Sequence, residues 1–125
     1  MALEDSILKT TKKLLGIPSS STVFDLDVTL YINSAFSELN SLRIGPEGGF
    51  RIEDDQATWT DYLDGDEATR DSVKTLVALM VKLEWDPPSS SYAIDSMRKQ
   101  IDMHQWRLSM AMEGVKWTPP VEPTP

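Results

Sequence analysis

Glu67-Ala-Thr-Arg-Asp-Ser-Val-Lys-Thr-Leu-Val-Ala-Leu-Met-Val-Lys-Leu-Glu-Trp85 is the most hydrophobic run of this chain and decides its architecture. Val73, Leu76, Val77, Met80 and Leu83 recur at helical spacing, and Leu79 and Val81 carry the apolar surface most of the way round. A helix of that kind needs neighbours on several sides, so it belongs in the middle of a helical bundle. Asp66 stands where an N-cap should, its carboxylate able to accept from a first-turn N–H. Asp86-Pro87-Pro88 ends the run sharply, because a residue before proline is pushed out of the helical region.

Ser89-Ser90-Ser91 caps a last helix expected to reach about Glu113. On the other side, residues 58–63 read as a short helical turn burying Trp59, Tyr62 and Leu63, broken by Asp64-Gly65-Asp66. Gly45-Pro-Glu-Gly-Gly-Phe50 cannot continue a helix and reads as a turn, and Phe50-Arg-Ile52 alternates as a short extended piece would. Before it lies a helix capped by Asp25 or Asp27, with Val28, Ile32, Ala35, Phe36, Leu39 and Leu42 as its buried stripe. A first helix over residues 3–15 buries Leu3, Ile7, Leu8, Thr11, Leu14 and Leu15, and Gly16 and Pro18 stop it. The expectation is an all-α fold: a small bundle of about four main helices, a loop or short extended segment at 45–58, and an extended tail. In domain terms, 1–113 is the helical domain and 114–125 the proline-rich tail.

The chain has 125 residues, enough for one hydrophobic core. Its 20 acidic against 12 basic residues give a net charge of −8. An acidic surface repels phosphates, which argues against reading nucleic acid through a basic face. The acidity is local. Residues 53–71 hold Glu53, Asp54, Asp55, Asp61, Asp64, Asp66, Glu67 and Asp71 against Arg70 alone, leaving 12 acids and 11 bases elsewhere. Such a run is either a solvated face or a segment aimed at something, for instance a basic partner.

The last helix has two apolar sides. Ile94, Met97, Ile101, His104, Leu108 and Met112 fall on one, and Tyr92, Met103, Trp106 and Met110 on the opposite one. A small monomer needs only the first, so the second is expected to meet another subunit or a partner. His104, at the edge of the first side, is expected to be partly buried with a hydrogen-bond partner. Four prolines after Trp117 favour polyproline II, and Trp117 would anchor such a strap on a neighbour.

Nothing in the sequence sets up catalysis. There is no cysteine and a single histidine, so no catalytic residue, no metal ligand set and no cofactor is assigned. The glycine-rich turn lacks the Lys-Ser/Thr of a phosphate loop, and Asp64-Gly-Asp66 does not continue into a calcium loop. No apolar run approaches the ~20 residues that cross a bilayer, and the N-terminus lacks a signal-peptide core, so no membrane partner is expected.

Several motifs in order carry a resemblance. They are Leu15-Gly16-Ile17, Phe24-Asp-Leu-Asp27, Ile32-Asn-Ser-Ala-Phe36, Gly45-Pro-Glu-Gly-Gly-Phe50 with Ile52, and Trp59. The run from Val73 to Trp85, Asp86-Pro-Pro-Ser-Ser90 and Trp106-Arg-Leu108 follow. Together, over about residues 3–110, the chain resembles the head–tail connector (adaptor) proteins of tailed phages. The resemblance implies a non-enzymatic virion protein, made in the host cytoplasm, that assembles with itself into a ring, expected to be dodecameric. The ring would dock beneath the portal protein, extend the channel through which DNA passes without sequence-specific binding, and receive the stopper or tail protein. Tyr92, Met103, Trp106, Met110, Trp117 and Phe50 are then the candidates for subunit or portal contact. Glu53, Asp54, Asp55, Asp61, Asp64, Asp66 and Glu67 would face the lumen or a partner. The competing reading is an acidic helical interaction module, monomeric or dimeric, acting outside a virion.

Overall fold

Five helices follow one another through residues 5–116, the part of the chain that the computed structural model describes. They are α1 (Ile7–Leu14), α2 (Asp25–Ser41), α3 (Trp59–Tyr62), α4 (Glu67–Trp85) and α5 (Ser91–Lys116). As its composition requires, α4 packs against all four of the others. Val73, Leu76, Val77 and Val81 are fully inaccessible there, and each such side chain contributes about 1.5–3 kcal/mol by leaving water. Asp66 caps it by accepting from the Thr69 N–H at 3.2 Å. Arg70 braces the α3–α4 corner by donating to the carbonyls of Leu63 and Gly65. The fold is all-α, with no strand among the described residues.

Four local expectations are corrected. Leu14 is 55% exposed. The buried arc of α1 is turned toward Leu8, Thr11 and Lys12, because the Lys12 ammonium has a partner inside that offsets its burial. Neither Asp25 nor Asp27 is the N-cap of α2. Phe24 holds that position without a side-chain bond, both acids lie in the first turn, and the Asp25 carboxylate is taken by Lys12. Residues 50–52 form no strand. The main chain of Ile52 is instead gripped by the Asn33 side-chain amide, which accepts from its N–H at 2.7 Å and donates to its carbonyl at 2.9 Å. The one extended pairing among the described residues is an isolated antiparallel bridge between Ser6 and Thr58. It is supported by the Ile7 N–H donating to the Ala57 carbonyl at 3.0 Å. Finally, α5 continues past Glu113 to Lys116. Leu3, Trp117 and the tail from residue 117 lie outside the described residues.

An aromatic cluster closes the end of the bundle beneath the glycine turn. Phe36 stacks on Tyr62 (centroids 4.5 Å apart) and meets Phe50 and Trp59 edge-on. Tyr62 donates from its buried hydroxyl to the Ile44 carbonyl at 3.1 Å, and burial pushes the phenol's pKa well above its ordinary value.

Candidate functional site

The longest helix supplies an uncovered apolar surface. Ser90 Oγ accepts from the Ala93 N–H and starts α5, whose 26 residues run for about 39 Å. Ile101 and Leu108 are buried on the α4 side, with Ile94, Met97, His104 and Met112 half-buried beside them. Gln105 ties the helix to α2 by donating to Glu38 Oε2 at 2.8 Å. The opposite side stays open: Tyr92 is 84% exposed, Trp106 64%, Met103 52% and Met110 48%. These four share one face, as their spacing requires. Lys99 projects among them and Arg107 along one edge, and neither has an ion pair among the described residues.

A second open apolar surface lies on α2, where the sequence reading placed none. Val23, Leu26 and Leu30 are 79%, 70% and 57% exposed. Leu26 and Leu30 stand four residues apart on the side away from Val28 and Ile32, and that spacing was the available signal. Two clefts run along this face. In one, Leu26 and Thr29 face Glu53, Asp54 and Asp55. In the other, Leu30, Ser34 and Ser37 face Gly49, Phe50 and Arg51. Phe50 is half-buried and spends its ring edge on Phe36 and Tyr62, so it offers a cleft wall and no free aromatic knob.

The acidic stretch is divided by the fold. Asp61 completes a capping box with Thr58 at α3, and Asp66 caps α4. Asp54 accepts from the Gln56 N–H, and Asp55 accepts from the Gln56 amide and pairs with Lys9 at 3.6 Å. The Gln56 bond chiefly, with the Lys9 charge, holds the Asp55 carboxyl below the usual carboxylate range. Thr69 does the same for Asp66 through its hydroxyl and N–H. Glu53, Asp64 and Glu67 make no hydrogen bond or ion pair among the described residues and are exposed. Half of the run therefore shapes local structure, which a count of charges does not reveal.

His104 is half-buried between α5 and the start of α4, near Thr69 and Arg107, without the hydrogen-bond partner expected for it among the described residues. Among those residues no three His, Asp or Glu side chains group so as to hold a metal ion. No described helix is long and apolar enough to cross a membrane. The site the molecule offers is thus a pair of apolar surfaces flanked by charges, suited to binding protein.

No curated protein and no solved structure matches the chain. A family model described as phage connector protein matches residues 7–115, which takes in α1 to α4, all but the last residue of α5, and both open faces. On that match the chain belongs to the phage connector protein family.

Proposed function

We propose that this protein is a head–tail connector that assembles with copies of itself into a ring beneath the portal, extends the DNA channel and gives the stopper or tail protein its landing surface. The observation that carries this reading is the uncovered outer face of α5. Four large apolar side chains on one face of a small domain form a patch of the kind that marks a protein interface. Family membership supports a connecting role between phage structures in general; ring, portal contact and channel go beyond it and follow from the open α5 face. The role is mechanical and non-catalytic, and a dodecamer is the expected stoichiometry.

The acidic residues suit a conduit. Where Asp64 and Glu67 face the lumen, they deny phosphates any attraction, so DNA slides past without being held. Trp117 and the proline-rich tail are proposed, from their sequence alone, to strap the ring to its neighbour.

Sedimentation and electron microscopy of the full chain, alone and with portal protein, test the reading. Closed rings in either sample support it. A monomer or dimer at high concentration that also ignores the portal overturns it and favours a free interaction module. Removing the residues after Trp117 should weaken portal binding.

A further inference from the structure

The two open apolar surfaces sit on different helices, both of which pack against α4 and turn these faces away from it. Two distinct patches on one subunit allow a head-to-tail contact, in which patch one of each copy meets patch two of the next. Charge and shape together favour that arrangement. The α5 face carries the unpaired cations Lys99 and Arg107, while its acids Asp95 and Asp102 lie along the other edge. The α2 face is walled near Leu26 by Glu53, Asp54 and Asp55. Pairing α5 against α2 sets Lys99 and Arg107 opposite Glu53, Asp54 and Asp55, whereas a two-fold α5 pair would set Lys99 against Met103 and leave it without an acidic partner.

Shape agrees with charge. From Tyr92 to Met110 the α5 face runs about 27 Å, and from Leu26 to Ser41 the outer side of α2 runs about 22 Å. Beyond Leu30 that side narrows to Ser34, Ser37 and Ser41, which let a second helix approach closely. Bulky α5 side chains thus meet a shallow α2 trough.

We propose that α5 of one copy lies along the outer face of α2 of the next copy, with Met103, Trp106 and Met110 against Leu26 and Leu30, and with Lys99 and Arg107 toward Glu53 and Asp54. This rests on the reading that the chain assembles with itself, and it names the two halves of that contact. Val23 and the exposed wall of Phe50 border the same trough.

The chain has no cysteine, so introduced thiols report without background. Two full-length single variants, L30C and M103C, are mixed under mild oxidation, alone and with portal protein. A mixed L30C–M103C disulfide dimer is expected, with little of either homodimer. Assembly seen by electron microscopy, together with homodimers alone or no cross-link, overturns the proposed pairing while leaving self-assembly intact. No assembly in either sample overturns self-assembly itself, and the pairing with it. Charge reversal supplies an independent arm. K99E/R107E should weaken self-association about tenfold or more, the effect of losing charge pairs across an interface. Mixing it with E53K/D54K should restore assembly, because every contact between the two variants, in either order, again sets opposite charges against each other. A reversal that changes nothing in an assembling protein overturns the charge assignment.

Discussion

The Lys12 ammonium lies 2.8 Å from Asp25 Oδ1 and also donates to the Ser21 carbonyl at 2.6 Å, with only 4% of the lysine side chain exposed. One cation thereby ties α1, the 15–24 connector and the first turn of α2 together. A lysine so enclosed has given up its hydration, and its two oxygen partners make the burial tolerable.

Asp25→Ala should therefore cost more than a surface pair would. It leaves an ammonium enclosed with one neutral acceptor, and a loss of about 2–4 kcal/mol is expected in urea unfolding. The K12M/D25A double variant removes the stranded charge and should recover most of that loss. A double variant no more stable than Asp25→Ala would show that desolvation of Lys12 is not what makes the pair matter.

Gly45 is held by its neighbour across the aromatic cluster. Its φ is 102°, and a Cβ there would stand 2.5 Å from Tyr62 Oη and 2.7 Å from Cζ. Gly45→Ala meets both a strained backbone and the rigid ring of a core residue, so a loss of about 2–4 kcal/mol is expected in thermal unfolding. Gly48→Ala, equally positive in φ but with open space around it, should cost less, since only the backbone term remains. Equal losses would place the effect in the backbone alone.

Tyr62 gives the fold an alkaline limit. Burial raises its pKa from the ordinary 10.0, so near and above pH 10 the unfolded chain releases a proton that the folded chain keeps. Unfolding then binds fewer protons than the folded state holds, and stability falls as pH rises. Tyr62→Phe should lose about 1 kcal/mol at neutral pH, the net value of the bond to Ile44, and should flatten this alkaline decline. The check is chemical denaturation from pH 7 to 11; an unchanged slope in Tyr62→Phe would assign the decline to other groups.

What could be read ahead of the structure follows from where each signal resides. The bounds of α4 and the start of α5 are local: a capping carboxylate or hydroxyl at one end, a proline pair between them. Periodicity likewise separated the two sides of α5, since side-chain direction along a helix is fixed by spacing. Lys12 was opaque because its burial depends on Asp25 and Ser21, brought to it by a turn of the chain. Residues 50–52 alternated like a strand, but the main-chain bonds of Ile52 went to Asn33, a side chain on a helix 19 residues away in sequence. The α2 outer face was hidden by its own inner stripe. Once Val28, Ile32 and Leu39 account for burial, Leu26 and Leu30 read as incidental despite their four-residue spacing, and it is their exposure in the fold that makes them a patch.

Trp106 and Ile101 lie on the two sides of one helix and should separate assembly from folding. Trp106 is 64% exposed, so Trp106→Ala removes no core contact and should change the stability of the isolated chain by no more than about 0.5 kcal/mol. It should nevertheless suppress self-association, because a large aromatic at the centre of a contact carries a disproportionate share of its energy. Ile101 is 6% exposed against α4, and Ile101→Ala should cost about 2–4 kcal/mol in the monomer before any assembly is considered. The comparison is urea unfolding of both variants beside sedimentation under conditions where the parent assembles. Unfolding of Trp106→Ala at clearly lower urea would mean that its face serves the monomer's own fold, and a parent-like mass would mean that the contact lies elsewhere.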